Sequence, residues 1–160
     1  MQGTGVSAKR LTDELLSFLA VTMKTAQGEV FKVVEELDLS MTQLKMLFVL
    51  DGAEHELTPS ELAKFVGLSP AATGRAVDAL TRQGIVSRRE DEADRRVKRL
   101  ALTASGQEAV DRITAARHAG LLRLVEPLDP EQRAALSDAL QPLLPVHSDH
   151  RTLPCTENPE

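Results

Sequence analysis

Residues 58–84 read TPSELAKFVGLSPAATGRAVDALTRQG and contain the beginnings of two short helices. In TPSE at 58–61, threonine can cap a helix, proline fits the first helical turn and glutamate can reach back to the cap amide. SP at 69–70 begins a second helix, GLS at 67–69 is a tight turn between the two, and Gly84 ends the second helix. Two short helices joined by a turn with glycine predict a helix-turn-helix.

The second of these helices has an apolar face and a face of small residues. The inward positions are predicted to be Thr73, Val77 and Leu80, at a helical spacing. The outward positions carry few bulky side chains that would hold the helix away from a surface, and an arginine lies one turn in. They are Ala71, Ala72, Gly74, Arg75, Asp78 and Arg82. Such a face can lie flush in the major groove of duplex DNA.

The next stretch, RREDEADRRVKRLALT at 88–103, combines six basic and four acidic residues with an apolar alternation. Ile85–Arg88 and Val97–Thr103 predict two antiparallel strands, with Arg89–Arg96 as the loop between them. A hairpin directly after a helix-turn-helix makes a winged helix. The basic residues of the wing would contact phosphates, and an arginine at its tip would suit the narrow minor groove.

Asp94 has a predicted role within this wing, because a carboxylate can accept hydrogen bonds from loop amides or from an arginine. We expect it to fix the direction in which Arg96 points. The sequence suggests no comparable role for Glu90, Asp91 and Glu92.

The charge distribution supports a nucleic-acid partner although the chain as a whole has a net charge of −5. Residues 58–103 hold nine Lys or Arg and six Asp or Glu, a net +3, whereas the remainder holds ten and eighteen, a net −8. A local basic surface matters more than the mean when phosphate is the partner. The aromatic content of 2% leaves little for base stacking, so duplex DNA is favoured over single strands.

Helices flank the predicted winged helix on both sides. A long helical pattern runs from about Val6 to Leu37, with Leu11, Leu15 and Phe18 on its stripe. The stripe suits either a core helix or a dimerisation helix, and we favour dimerisation because so long a helix would overhang a compact monomer. Ser40 is predicted to cap a second helix after the first one. Thr103 and Asp129 are predicted to cap the two helices that follow the wing. In the last helix we expect Leu136, Leu140, Leu143 and Leu144 to face inward.

The predicted fold class is therefore mainly α. It has a winged helix-turn-helix DNA lobe of three helices and a two-stranded β-wing, with long N- and C-terminal dimerisation helices. The expected organisation is an N-terminal dimerisation helix at 1–37, the DNA-binding domain at 38–103, C-terminal dimerisation helices at 104–145 and a disordered tail at 146–160. The candidate DNA contacts are Thr58, Ser60, Ser69, Ala71, Ala72, Thr73, Arg75, Arg82, Arg88, Asp94, Arg95, Arg96 and Lys98.

Other classes of protein find little support in the sequence. There is no glycine-rich phosphate loop, G-x-S-x-G or HExxH motif, so we expect no enzyme and no cofactor. The four histidines and the single Cys155 form no cluster with zinc-like spacing, so we expect no metal site, and His55 is interpreted as an exposed loop residue. No apolar run is long enough for a membrane span and no signal peptide is recognised, so a cytoplasmic location is expected.

Three features together resemble the MarR family of bacterial transcription regulators: the order of elements, the run GLSPAATGRAVDAL followed by TRQGIVSRRED, and the Asp94-Arg95-Arg96 wing signature before LALT. The resemblance covers roughly Ala8 to Leu144. It implies a triangular homodimer built from the first and last helices, palindromic duplex DNA as the partner, and Arg96 in the minor groove. Oxidant-sensing members carry a reactive cysteine near the first helix. Since Cys155 lies in the tail, we expect no redox sensor of that type.

The resemblance also implies a small effector, because many members are repressors released by phenolic or other aromatic ligands bound between the dimer domain and the DNA lobe. Geometry and family analogy give Phe31, Met41, Leu44 and Phe48 as candidate pocket residues, although a plain core position is the favoured interpretation for each. The alternative function is a winged-helix protein-interaction module that does not bind DNA, which the clustered arginines disfavour.

Overall fold

The computed structural model describes residues 5–144 of the 160-residue chain. The predicted tail, with Cys155, His147 and His150, lies outside the described residues. The elements follow the predicted order and are α1 (Ala8–Glu36), α2 (Met41–Asp51), α3 (Pro59–Val66), α4 (Pro70–Arg82), β1 (Val86–Glu90), β2 (Lys98–Leu102), α5 (Ala104–Val125) and α6 (Pro130–Leu140), followed by a 3-10 turn at Gln141–Leu143.

The helix beginnings are where the capping patterns predict them. The side chains of Ser40, Thr58 and Asp129 each accept a hydrogen bond from the backbone amide three residues on, and in each case the Gln or Glu at that position accepts one from the cap amide. These reciprocal bonds satisfy amides that have no partner inside a helix. The capping residues therefore determine where α2, α3 and α6 begin.

The turn between α3 and α4 depends on Gly67, which has φ +73° and follows the last residue of α3. Its amide donates to the carbonyl of Ala63 at 3.0 Å, and the amide of Leu68 donates to the same carbonyl at 3.1 Å. A side chain at Gly67 would be strained at this positive φ. The predicted helix-turn-helix is thus confirmed, with α4 as its second helix.

The wing is a two-stranded antiparallel sheet in which Val86 pairs with Leu102 and Glu90 pairs with Lys98. The loop is shorter than predicted, because β1 continues through Arg89 and Glu90 instead of ending at Arg88. Glu90 faces Lys98 across the ladder and forms an ion pair with it, and opposite charges across a strand pair favour pairing. Arg89 faces the like charge of Arg99, but each of these arginines has its own acidic partner, Glu56 for Arg89 and Asp91 for Arg99. The loop comprises residues 91–97.

The core lies where α2, α3, α4, the wing strands and α5 meet. The fully buried side chains include Met46, Leu47, Leu62, Val77 and Leu100. The wing is connected to this core at its base, since Leu57 pairs with Leu100 in an isolated antiparallel bridge. At Gly106 near the start of α5, a Cβ atom would lie only 2.1 Å from the carbonyl oxygen of Ile85. Glycine therefore allows α5 to pack closely against the wing base.

Outside the DNA lobe, α1 packs along α5, while much apolar surface remains exposed. Seven large apolar side chains of the N-terminal half of α1 are 44–60% exposed: Leu11, Leu15, Leu16, Phe18, Leu19, Val21 and Met23. The prediction that Leu136, Leu140, Leu143 and Leu144 face inward is wrong for a single chain, because α6 has no buried residue and Leu143 is 67% exposed. α6 has no second apolar layer to pack against within one chain. None of the helices in residues 5–144 is both long and apolar enough to cross a membrane.

Candidate nucleic-acid interface

The outward face of α4 presents small residues and two arginines, as predicted. Ala71 and Arg75 are exposed, Ala72 and Gly74 are half-buried, and Arg82 is exposed at the end of the helix. Val77 and Leu80 on the opposite face are fully buried. This burial fixes the rotation of α4, so its small residues and Arg75 share the solvent side.

Thr73 is a correction to the predicted DNA contacts, because it is 0% exposed. Its inward position in the helical spacing was predicted, and that position is incompatible with contact to a ligand on the outer face. Its hydroxyl oxygen has no hydrogen-bond partner. Thr73 therefore belongs to the core of the lobe and not to its outer surface.

The three hydroxyl residues at the helix beginnings have different surroundings. Thr58 donates to a carboxylate oxygen of Glu61 at 2.8 Å and accepts from its amide at 3.2 Å, so both its functions are used within the cap. The amide of Thr58 also donates to this carboxylate, at 2.7 Å, and the bonds from the amide and then from the hydroxyl of Thr58 lower the pKa of Glu61. Ser69 caps α4 by accepting from the amide of Ala72. Ser60 is exposed in the first turn of α3.

The cations of the wing fall into two groups. Arg88 contacts Asp78 of α4 at 3.2 Å, and Lys98 contacts Glu90 across the strands at 2.8 Å. Arg95 and Arg96 at the loop are exposed and make no ion pair within residues 5–144. Arg75 and Arg82 of α4 likewise make no ion pair with the described residues. Four arginines are therefore available to an anionic partner without breaking an existing pair.

The acidic residues of the wing hold its loop in shape. Asp91 accepts hydrogen bonds from Arg99 at 2.7 Å and from the amides of Ala93 and Asp94 at 2.9 and 3.2 Å. These bonds lower the pKa of Asp91 from 3.8 to about 2, and the bond from Arg99 has the largest effect. Asp94 accepts from the amide of Arg96 at 2.9 Å. Asp91 and Asp94 thus bind the backbone of the loop that carries Arg95 and Arg96.

A second set of contacts connects the wing strands, near the loop, to the segment before α3. Glu56 forms an ion pair with Arg89, which raises the pKa of Arg89, and the backbone oxygen of Glu56 accepts from Arg99 at 3.3 Å. Arg99 thus contacts both the wing loop and the neighbouring segment. The sequence analysis missed Glu56, Arg89 and Arg99, because residues so far apart along the chain give no local signal. The only local signal for ion pairs was the mixture of basic and acidic residues in 88–99.

Three of the four candidate pocket residues lie together. Met41, Leu44 and Phe48 of α2 line a cavity of about 510 Å³ that α1 and α5 also border. Phe31 is 43% exposed and does not line that cavity, because it lies on another face of α1. The sequence analysis missed Arg117 of α5, which borders the cavity and whose guanidinium carbon lies 4.9 Å from the centre of the Phe48 ring.

The described part of the chain contains no group of three or more His, Cys, Asp or Glu side chains arranged to hold a metal ion. His55 is exposed in the segment between α2 and α3.

Comparison with known proteins agrees with this geometry. Residues 37–97 match the family model described as MarR family. The chain is 30% identical over 123 residues to YfiV of Bacillus subtilis (strain 168), named an uncharacterized HTH-type transcriptional regulator; the match covers 77% of this chain and 76% of that protein. Further curated relatives are named transcriptional repressors.

Two solved structures illustrate the similarity of fold. RV1404 from Mycobacterium tuberculosis has a TM-score of 0.74 and 27% identity, over 89% of this chain and 96% of that one. A variant of MepR from S. aureus, bound to an oligodeoxyribonucleotide, has a TM-score of 0.63 and 23% identity, over 88% of this chain and all of that one. The winged-helix arrangement of the lobe, with α1, α5 and α6 outside it, is thus shared with both proteins.

Proposed function

The chain belongs to the MarR family of transcription regulators, and from this premise we propose how its own residues bind duplex DNA, assemble and respond to an effector. The family is one of DNA-binding regulators and not of enzymes. The curated relatives support a repressor, which acts by occupying DNA. A DNA-binding regulator of this kind acts where the chromosome is, and we assign it to the cytoplasm.

One observation carries the assignment of the DNA surface: α4 presents small residues with Arg75, and the wing presents two arginines without ion-pair partners in the described chain. α4 can enter the major groove because Ala71, Ala72 and Gly74 allow close approach. Arg75 then reaches a base edge, with guanine preferred, since its two acceptors match a guanidinium. The hydroxyls of Ser60 and Ser69 lie at helix N-termini, which suit phosphate oxygens.

The wing contributes more to the affinity for DNA than to sequence specificity. Arg95 and Lys98 contact phosphates, and Arg96 enters the minor groove, where negative potential concentrates when the groove is narrow. Arg88 and Arg82 lie at the junction of α4 and β1 and support phosphate binding there. The acids of the wing are consistent with this assignment because Asp91 and Asp94 bind loop amides instead of facing outward as free charges.

Assembly is proposed as a homodimer through α1 and α6. α1 exposes large apolar side chains in the single chain, and so do the end of α6 at Leu140 and the following Leu143 and Leu144. Burying them against a second copy removes this surface from water. A two-fold dimer presents two copies of α4 to a pseudo-palindromic operator, with half-sites about one helical turn apart, roughly 34–36 Å.

Regulation is proposed to act through a small effector in the cavity that Met41, Leu44 and Phe48 line. The cavity borders α2 of the DNA lobe and also α1 and α5. A ligand that fits one relative position of these helices better than another shifts the separation of the two α4 helices in a dimer. That change reduces the affinity for the operator.

The test is selection of bound genomic fragments with purified protein, followed by binding measurements on the selected duplex. Arg75→Ala should cost about 1–3 kcal/mol on the selected duplex and much less on random duplex. Arg112→Ala is the matched control, because Arg112 pairs with Glu36 outside the DNA lobe and should bind as wild type. Equal losses on both duplexes would make Arg75 a phosphate contact, and failure to enrich any fragment would contradict sequence-specific binding.

A further inference from the structure

The cavity bordered by α1, α2 and α5 is apolar almost throughout. Its walls are mainly aliphatic or thioether side chains, namely Leu19, Met23, Val30, Met41, Leu44 and Leu121. Its volume of about 510 Å³ lies within the range of small-molecule sites. Methionine is unbranched and adaptable, so a wall with two methionines can fit a flexible chain of variable shape.

Four polar or charged residues interrupt the apolar lining, namely Thr22, Gln27, Lys45 and Arg117, and Arg117 is the one in contact with the Phe48 ring. It is half-buried, and no carboxylate within residues 5–144 forms an ion pair or hydrogen bond with it. Burial lowers its pKa, which reflects the desolvation of its charge. Lys45 also borders the cavity, whereas no described acidic residue does. A desolvated cation without a counter-charge is costly, and an anionic ligand would supply the missing partner.

Phe48 is the only aromatic residue among the described residues that line the cavity, and Arg117 already covers its ring. The 4.9 Å distance from the guanidinium carbon to the ring centre is within the range of a cation–π contact. Because Phe48 is only 6% exposed and Arg117 covers one face of its ring, a flat aromatic ligand has little aromatic surface on which to stack. An alkyl chain finds aliphatic contacts on α1, α2 and α5. This differs from the phenolic effectors that the family resemblance implies.

We propose that the effector is an aliphatic monocarboxylate, with its carboxylate on Arg117 and its alkyl chain among the aliphatic and thioether side chains of the cavity. The inference rests on the proposed effector response and specifies the chemistry of that site. The N–H groups at the edge of the guanidinium can donate to the carboxylate while one face of the guanidinium remains on the Phe48 ring. The ligand would then connect Arg117 of α5 to α2, which belongs to the DNA lobe.

The experiment is calorimetric titration of the DNA-free protein with butanoate, hexanoate, octanoate and decanoate. Each methylene buried should raise the affinity roughly fourfold until the cavity is filled. Octan-1-ol, which lacks the charge, should bind at least tenfold more weakly than octanoate, and salicylate should bind more weakly than decanoate. Because no DNA is present, this result is independent of whether the protein binds an operator.

Variants locate the site. Arg117→Met should reduce octanoate binding at least tenfold, whereas Arg123→Met removes a charge from the same helix outside the cavity and should bind as wild type. Arg117→Lys keeps the charge and should bind with intermediate affinity. If Arg117→Met does not fold, the comparison of octanoate with octan-1-ol on the wild type still decides the point. No dependence on chain length, equal binding of acid and alcohol, or preference for salicylate would each overturn the proposal.

Discussion

At the scale of single residues, Thr73 shows how position within a helix outweighs residue type. Its hydroxyl is the kind of group that contacts DNA, yet it is buried on the inner face of α4 without a hydrogen-bond partner. A buried polar group without a partner costs free energy, and replacing it by an apolar group of similar shape removes that cost.

Thr73→Val should therefore leave the free energy of unfolding unchanged or raise it by up to about 1 kcal/mol, and should not alter DNA affinity. Denaturant unfolding and anisotropy with the selected duplex measure the two quantities. Thr81→Val on the exposed face of the same helix is the control and should change stability by less than about 0.5 kcal/mol. A loss of more than about 1 kcal/mol in Thr73→Val would show that the hydroxyl is bonded.

Asp91 gives a pH-dependent prediction at the same scale. Its pKa is about 2 in the folded chain, against an ordinary value of 3.8, and the largest cause is the hydrogen bond that Arg99 donates to its carboxylate. Since the folded pKa is depressed, its contribution to stability is fully present above about pH 4 and is lost as the pH falls toward 2. A carbon-detected NMR titration of the carboxyl should give this value, and Arg99→Ala should move it back toward 3.8. An unchanged pKa in Arg99→Ala would show that the loop amides alone cause the shift.

The residues that could be predicted from sequence are those whose role is local. Ser40, Thr58 and Asp129 bond to amides three residues away, so a window of four residues contains the whole interaction. Arg117 and Phe48 meet only because α5 folds back on α2, and neither residue is unusual in its own neighbourhood along the chain. The pocket candidates rested on family analogy, which does not fix the face of α1 on which a residue lies. Phe31 accordingly does not line the cavity.

At the scale of elements, the wing is a hairpin whose ion pairs decide which cations are available to DNA. Lys98 is held by Glu90, whereas Arg95 has no partner in the described chain. Each phosphate neutralised by a free cation contributes about −0.9 to the slope of log affinity against log salt. A paired cation contributes less, because the carboxylate beside it already neutralises its charge.

Arg95→Ala should therefore flatten the slope by up to about 0.9 for each subunit, and Lys98→Ala by clearly less. Anisotropy titrations at four salt concentrations on the selected duplex measure both. Glu90→Gln is the complementary control: it frees Lys98 and should make the slope steeper. Equal flattening by Arg95→Ala and Lys98→Ala would mean that the Glu90 pair is broken in the complex.

For Asp94, two physical effects predict opposite changes in DNA affinity when the carboxylate is removed. Its carboxylate accepts the amide of Arg96, so Asp94→Ala should loosen the loop and weaken binding on all sequences. Simple Coulomb attraction predicts the opposite, since removing a negative charge near phosphate favours association. Asp94→Asn retains an acceptor and loses the charge, and it should bind at least as tightly as wild type. Tighter binding by Asp94→Ala would refute the orienting role.

The wing was predictable as an element but not in its details. Alternation and a polar interval indicated two strands and a loop, while the extension of β1 depends on the ion pair of Glu90 with Lys98 across the ladder and on that of Arg89 with Glu56 outside it. The contacts of Glu56 with Arg89 and Arg99 required the segment before α3 to lie beside the wing. That neighbourhood follows from tertiary packing, including the Leu57–Leu100 bridge.

At the scale of the whole molecule, the expected inward face of α6 and the exposed stripe of α1 have one explanation. Helical periodicity reports which side of a helix is apolar but not which chain covers it. The side chains predicted to be inward are exposed in one copy because, on our proposal, a second copy covers them. In the single chain the apolar side of α6 is therefore exposed, contrary to the prediction, but the helical periodicity still identifies which side of the helix is apolar.

The corresponding prediction is a homodimer of about twice the 17.4 kDa chain. Introducing Leu15→Glu and Phe18→Glu together into α1 should yield a monomer, because each large apolar side chain loses about 1.5–3 kcal/mol of burial and a buried carboxylate adds a further cost. Thr12→Glu with Ser17→Glu, at polar positions of the same helix, is the matched control and should remain dimeric. Light scattering at micromolar concentration gives the masses, and gel shift on the selected duplex tests the consequence, since a monomer holds one half-site only. A wild-type chain that is monomeric at the salt concentration used for DNA binding would contradict the dimer and, with it, the half-site separation of roughly 34–36 Å.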